Sequence, residues 1–188
     1  MTIIAISNTH CAADGMKTWG PEIRGLNHKK LLIRELPNSA DRAIFAFTGT
    51  TALQIPIIDW YLAGADAHHM PPEAGEWTLL VIDKHGLLRL SSSTPYAESF
   101  DAPMAAGTGI DMALGAMYSG RTAREAVEMV CERHTVCGGE IQVLDIAEVT
   151  GFTLAKRVPN EDYVTEYPQA NGGVILGAEI RRLGLQGS

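Results

Sequence analysis

The segment Thr2–Asp14, TIIAISNTHCAAD, decides the fold of this 188-residue chain. Two apolar runs flank the polar residues Ser7, Asn8 and Thr9, and this arrangement is typical of a β-hairpin with a tight turn. The second run ends at Asp14, where a polar, Gly-containing stretch begins. We therefore expect the chain to open with two paired strands.

The rest of the chain shows more strand pairs and separate helical patterns. Apolar runs bounded by turn residues predict strand pairs at residues 30–36 with 43–47, 77–82 with 86–90, and 141–146 with 152–155. Apolar residues at helical spacing predict helices at residues 50–64, 109–120, 123–131 and, at the end of the chain, 174–183. Thr122 and Glu125 form a capping box before the third of these. Such segregated runs favour an α+β fold of antiparallel sheets layered with helices.

Composition predicts one compact domain, residues 1–188, with residues 159–188 as an extension ending in a short helix. The net charge is −7 and no Lys/Arg-rich tract is present, which disfavours a nucleic-acid partner. The sequence contains neither a long apolar span nor the basic start of a signal peptide, so we expect no membrane association and a cytoplasmic location. The three cysteines, without a CxxC pair, fit neither a disulfide framework nor a zinc site and suggest a reducing compartment.

Two features that resemble ligand sites are weak. Gly107-Thr108-Gly109 has Met112 where a dinucleotide-binding loop carries its third glycine. His68 and His69 are adjacent in a Pro-rich loop, where a solvated pair is the simpler interpretation. We expect no cofactor and no metal.

Thr2 is the candidate nucleophile. Its small side chain permits removal of Met1, and the new terminus then carries both a hydroxyl and an α-amine. The pKa of an α-amine is about 8, so this group is able to accept the hydroxyl proton and return it to a leaving group. Many proteins begin Met-Thr, however, and an ordinary strand residue is the alternative interpretation.

The residues after the hairpin strengthen the case for catalysis. An Asp that follows the hairpin, a nearby Thr-x-Gly and a Lys that begins an apolar strand are present as Asp14, Thr18, Gly20 and Lys30. Together with Thr2, this segment resembles the proteasome β-subunit family, including the bacterial HslV-type peptidases, which are N-terminal nucleophile hydrolases. The resemblance implies a four-layer αββα sandwich. The loop at residues 65–76 is short and rich in proline, so one helix of that sandwich is expected to be abbreviated or absent.

Later segments extend the resemblance over most of the chain. Residues 45–49 are similar to the family segment that forms the oxyanion hole, with Ala46 where a Gly is usual. Residues 107–109 resemble its Gly-Ser-Gly helix start, with Thr108 in place of the Ser. Residues 134–139 resemble its Asp-x-x-Ser-Gly-Gly motif, with His134 for the Asp and Cys137 for the Ser, and residues 179–185 resemble the last helix of some members.

The family implies a role for each matching residue. Thr2 would be the nucleophile, Lys30 the cation beside its hydroxyl and Asp14 the partner of Lys30, with Lys29 as the alternative lysine if the register slips by one. The N–H of Ala46 would hold the oxyanion, and Thr108 would support the amine. His134 and Cys137 would be supporting residues, although the family carboxylate near the amine is then lost. The substrate cleft would contain Thr18, Gly20, Thr48 and Gly49.

The family also implies a homo-oligomer of stacked rings, peptide or unfolded-protein substrates, and an ATP-dependent unfoldase as partner. Three alternatives stay open: a catalytically silent ring protein that keeps Met1, an amidase that acts on non-peptide substrates, and a cysteine nucleophile at Cys11 or Cys137. The register is also open, because counting from Ala5 places Met1 at the nucleophile position, whereas counting back from Asp14 favours Thr2.

Overall fold

The structure, a computed structural model of the chain, describes residues 2–19, 22–37, 39–65 and 75–155. The strands in these ranges are β1 Ile3–Ile6, β2 His10–Ala13, β3 Lys17–Trp19, β4 Glu22–Gly25, β5 Leu31–Glu35, β6 Arg42–Gly49, β7 Trp77–Asp83, β8 Gly86–Ser91, β9 Glu98–Phe100, β10 Met104–Gly107 and β11 Gln142–Asp145. The helices are α1 Gln54–Leu62, preceded by a 3₁₀ turn at Thr51–Leu53, α2 Ile110–Tyr118, α3 Ala123–Arg133 and α4 Ile146–Thr150.

The strands form two main antiparallel sheets and a separate hairpin. The first sheet has the strand order β10-β1-β2-β11, and the second has the order β5-β6-β7-β8-β9. The hairpin consists of β3 and β4. The predicted opening hairpin is therefore confirmed as β1 and β2, which form the centre of the first sheet.

Three apolar clusters stack these elements into four layers. One cluster joins α2 and α3 to the first sheet, a second lies between the two sheets, and a third joins α1 to the far face of the second sheet. Alternate residues of one strand serve different clusters: Ile3 and Ala5 face the helices, whereas Ile4 and Ile6 face the other sheet. Both faces of β1 are thus buried, which explains its uninterrupted apolar sequence. The predicted αββα sandwich is confirmed.

Most predicted elements are present. Two of the remaining strand pairs appear as β5 with β6 and β7 with β8, and the helical pattern from residue 50 appears as the 3₁₀ turn followed by α1. The capping box is formed, since the Thr122 hydroxyl accepts from the Glu125 N–H and the Glu125 carboxylate accepts from the Thr122 N–H. In the part of the chain that is described, α1 is the helix that packs on the far face of the second sheet. None of the described helices has the length and apolar character of a membrane span.

The predicted last strand pair is wrong. Residues 142–145 do form a strand, but β11 pairs with β2, and residues 146–150 form helix α4. The reason is local, because the Asp145 side chain accepts a hydrogen bond from the Glu148 N–H at 3.0 Å and Gly151 ends the helix with a φ of 69°. Strands β3, β4, β9 and β10 were not predicted from the sequence. His68, His69, residues 66–74 and the extension 159–188, with its helix 174–183 and motif 179–185, lie outside the described residues.

Candidate active site

The Asp14 carboxylate connects three segments of the chain. Its Oδ1 accepts hydrogen bonds from the Ile3 N–H at 2.9 Å and from Lys30 Nζ at 2.7 Å. Its Oδ2 accepts from the Gly138 N–H at 3.1 Å and the Met16 N–H at 3.3 Å. Asp14 is fully buried. A buried carboxylate with these donors has its hydrogen-bonding capacity satisfied and fixes the segments around it.

Lys30 is held by both its backbone and its side chain. Its carbonyl accepts from the Phe47 N–H at 3.0 Å, and its own N–H donates to Oε1 of Gln142 at 2.6 Å. Gln142 lies on β11 of the first sheet, so this contact ties the start of β5 to the opposite layer. Burial lowers the pKa of Lys30, and the charge of Asp14 partly opposes that effect. Of the two adjacent lysines, Lys30 is the one paired with Asp14, whereas Lys29 is exposed.

Thr2 lies where these contacts meet. It is 6% exposed, and its carbonyl accepts from the Thr108 N–H at 2.7 Å. The next residue, Ile3, exchanges two bonds with Asp14: the Ile3 N–H donates to the carboxylate, and the Ile3 carbonyl accepts from the Asp14 N–H at 3.2 Å. The first residue of a processed chain would therefore sit beside the buried Asp14–Lys30 pair.

Gly107 makes this close approach possible. It pairs with Ile3 across the sheet at a φ of 99°, and a Cβ at this position would overlap the Thr2 carbonyl oxygen. The same Cβ would be 3.4 Å from Oγ1 of Thr48, so Thr48 also borders the Thr2 position. Only glycine fits here, because both the backbone conformation and the available space exclude a side chain.

His134 and Cys137 lie on the other side of the site. The His134 ring packs against Gly109, where a Cβ would be 3.3 Å from ring atoms Cδ2 and Nε2. Cys137 is buried, and burial followed by the charge of Asp14 raises the pKa of its thiol to about 11. The structure thus brings together the residues at the family's Asp and Ser positions, but neither of them supplies a carboxylate.

Ala46 does not face the site as expected. It is fully buried in β6, opposite Leu31 on one side and Leu80 on the other. Because the Phe47 N–H donates to Lys30 on the β5 side, the alternation along a strand directs the Ala46 N–H toward β7. Its amide is therefore turned away from the cleft, and the expected oxyanion role of Ala46 does not fit this geometry.

Gly49 fits that role better. It is two residues after Phe47, so its N–H points to the same side of β6, at a position beyond the first residue of β5. Gly49 is exposed and has a φ of 128°. From the family resemblance, Gly49 was expected only as a substrate-binding residue. The signal that separates these two candidates is strand pairing, which a single sequence does not contain.

The remaining predicted residues are partly placed. Thr18 lies on β3, opposite Ile23 of β4, and this hairpin follows directly on Asp14–Met16. Gly20 lies outside the described residues. In the ranges that the structure describes, no three His, Cys, Asp or Glu side chains come together as a metal site.

Solved structures with a similar architecture include proteins from a trypanosome and from a bacterium. HslV from Trypanosoma brucei matches with a TM-score of 0.58 and 18% sequence identity, over 77% of this chain and 99% of that chain. The chain has the fold of HslV. The HslV fold also relates it to BPH from Thiobacillus denitrificans, solved in complex with epoxomicin, with a TM-score of 0.54 and 19% identity over 77% of this chain and 98% of that chain. No protein-family model and no curated protein matches the sequence significantly.

Proposed function

We propose that this protein is a threonine peptidase of the proteasome type, with Thr2 as the nucleophile after removal of Met1. The observation that carries the proposal is the buried Asp14–Lys30 ion pair, 2.7 Å long, next to the first residue of β1. Burying an ammonium and a carboxylate is costly unless they are fully hydrogen bonded. Their location beside a residue that can offer both a hydroxyl and an α-amine favours a catalytic use.

The proposed reaction is an acyl transfer through a covalent ester. The Thr2 hydroxyl attacks a peptide carbonyl carbon, and its proton passes to the Thr2 α-amine directly or through a water molecule. The Lys30 ammonium stabilises the developing alkoxide, and Asp14 keeps that ammonium in place. The α-amine then protonates the departing amine as the peptide C–N bond breaks. A water molecule hydrolyses the ester by the same proton transfers in reverse order and regenerates Thr2.

The oxyanion of the tetrahedral intermediate needs a backbone donor on the cleft side of β6. We assign this role to the Gly49 N–H instead of Ala46, because strand alternation directs it to that side. Loss of one such donor costs about 10²–10³ in rate in comparable sites. Thr48 would border the nucleophile, and Thr18 would pair its backbone with an extended peptide.

The proposal extends to assembly. By the resemblance to HslV, the chain would form stacked homo-oligomeric rings in the cytoplasm, with the Thr2 sites facing an inner chamber. An ATP-dependent unfoldase would supply unfolded chains. Sedimentation tests this part, since the monomer mass is 20.2 kDa and a ring particle would be about an order of magnitude heavier.

Intact mass and peptide hydrolysis test the chemistry. We expect the purified protein to lack Met1, to hydrolyse short peptide amides and to lose this activity as Thr2→Ala. Thr94→Ala, in the loop between β8 and β9, is the matched control and should keep the activity. Equal rates for wild type and Thr2→Ala would reject the nucleophile assignment. A screen of non-peptide amides alongside the peptides separates a peptidase from another amidase.

One observation favours a second candidate. His134 and Cys137 replace the acid and the Ser that the family places near the α-amine, as expected if catalysis had been lost. A catalytically silent ring protein would keep Met1, sediment as a large particle and hydrolyse no peptide. The same two experiments therefore distinguish it from the peptidase.

A further inference from the structure

Three nitrogen-bearing side chains gather at one place in an otherwise acidic chain. Lys17 is exposed on β3, His28 is half-buried between β4 and β5, and Lys30 is buried at the start of β5. His28 interacts electrostatically with both lysines and with Asp14. The chain carries a net charge of −7, so this local excess of cationic groups runs against its overall balance.

The position of His28 is fixed by two neighbouring segments. Its backbone N–H donates to the Gly15 carbonyl at 2.9 Å, and this bond holds the backbone of His28 next to the segment that contains Asp14. Its side chain lies close to Gln54, a buried residue of α1. Gln54 Nε2 donates to the Lys29 carbonyl at 3.0 Å, which fixes Gln54 beside the start of β5. His28 is therefore held near the Asp14–Lys30 pair.

The charge of the group is positive. The one carboxylate beside these side chains that is named above, that of Asp14, already accepts hydrogen bonds from Lys30 and from three backbone N–H groups. Asp14 offsets the charge of Lys30, which leaves the charge of Lys17 to act on whatever enters the cleft. An anionic group in the cleft would gain the attraction of Lys17 and a hydrogen bond from His28.

We propose that Lys17 and His28 form a cationic pocket beside Thr2 that selects an acidic side chain on the substrate residue whose carbonyl carbon is attacked. This inference rests on the proposed function, because it names the substrate class of the same site. The preferred substrates are peptides with Glu or Asp at that residue, and the isosteric Gln and Asn peptides are the poor ones.

The protonation of His28 makes the selectivity depend on pH. Burial, followed by the charges of Lys17 and Lys30, lowers the pKa of His28, with Gln54 and Asp14 acting in the opposite direction. The free site thus holds a neutral imidazole near pH 7, and a bound carboxylate favours the imidazolium. The ratio of Glu to Gln turnover should rise as the pH falls from about 7.5 to about 5.5, a range in which a Glu side chain stays ionised.

Matched peptides test the pocket. We expect kcat/KM for a Glu peptide to exceed that for its Gln counterpart about tenfold in wild type and about twofold in Lys17→Gln. Lys84→Gln, which removes an exposed lysine from the β7–β8 turn, should keep the wild-type ratio. His28→Gln should abolish the pH dependence of the ratio. Equal turnover of Glu and Gln peptides, or a ratio that Lys17→Gln leaves unchanged, would overturn the inference.

A binding measurement separates this inference from the proposed function. Calorimetry with Thr2→Ala should show tighter binding of the Glu peptide than of the Gln peptide, and Lys17→Gln should remove the difference. If the protein hydrolyses peptides without preferring acidic residues, the proposed peptidase function stands and the proposed cationic pocket is rejected. If the wild-type protein hydrolyses no peptide but Glu peptides still bind more tightly in a way that depends on Lys17, the pocket stands and the peptidase function is rejected.

Discussion

Lys30 Nζ lies 2.7 Å from Oδ1 of Asp14, and the two side chains are 5% and 0% exposed. A pair so deeply buried repays its desolvation only when the remaining lone pairs are also satisfied. Asp14 meets this condition through three backbone N–H donors, from Ile3, Met16 and Gly138. The pair is thus part of the structure of the cleft as well as a candidate part of its chemistry.

Breaking this pair should destabilise the fold strongly. Asp14→Asn leaves the Lys30 ammonium buried without its counter-ion, and we expect a loss of about 3–5 kcal/mol in the free energy of unfolding, measured by urea denaturation. Asp41→Asn breaks the exposed pair with Lys84 and is the control, with little or no effect expected. If the two variants lose similar free energies of unfolding, the buried pair contributes no more to stability than the exposed one.

Two glycines should respond in opposite directions to the same substitution. Gly107→Ala introduces a Cβ that overlaps the Thr2 carbonyl at a positive φ, so we expect a stability loss on the order of 1–3 kcal/mol together with loss of peptide hydrolysis. Gly115 lies inside α2, where an added Cβ would meet nothing within 4 Å, and Gly115→Ala should stabilise by about 0.5–1 kcal/mol. Urea denaturation of both variants tests these two predictions. A Gly107→Ala variant as stable as the wild type would contradict the overlap with the Thr2 carbonyl oxygen.

Stability should rise with pH through the titration of Lys30. Burial lowers the pKa of Lys30 below its ordinary value of about 10.4, so between the two values the unfolded chain binds more protons than the folded one. The free energy of unfolding therefore increases with pH over that window, and the gain is lost as the pH falls through the folded-state pKa. Lys30→Met removes this contribution, so the difference between wild type and variant isolates it. A difference that does not vary with pH would refute the assignment.

The three cysteines should be unreactive in the folded protein. Burial raises the pKa of Cys131 to about 12 and that of Cys137 to about 11, and Cys11 is fully buried with its pKa raised as well. Since the thiolate is the reactive form, native protein at about pH 8 should take up a thiol reagent at a small fraction of the rate seen in urea. Rapid labelling of Cys11 or Cys137 in native protein would reopen the case for a cysteine nucleophile.

Local sequence signals predicted the elements that are specified locally. The opening hairpin and the capping box of Thr122 and Glu125 are each specified by a few residues close in sequence. The pairing of Asp14 with Lys30, sixteen residues apart, was expected only from the family resemblance. Helix α4 also has local sequence signals, an N-cap Asp145 followed by Glu148 and a terminating Gly151. They were overlooked because the apolar run at residues 141–146 is typical of a strand. Strands β3 and β4 carry no apolar alternation, because β4 is exposed or half-buried along its length.

The orientation of backbone donors depends on tertiary structure and was not predictable. Ala46 and Gly49 both match the family segment, and only the pairing of Phe47 with Lys30 shows which N–H faces the cleft. The clustering of Lys17 and His28 near Lys30 likewise depends on how residues 14–30 fold back on Asp14. A sequence contains the identity of these groups, but pairing across the sandwich determines their direction.

The Gln142 side chain has one more consequence. It extends from β11 and accepts from the N–H groups of Lys30 and Leu31, at 2.6 Å and 3.2 Å, across the gap between the sheets. These two hydrogen bonds resist sliding of one layer over the other, because such a movement would break both of them. Shear between the layers would therefore pull on the backbone of Lys30, the residue whose ammonium pairs with the buried Asp14 carboxylate.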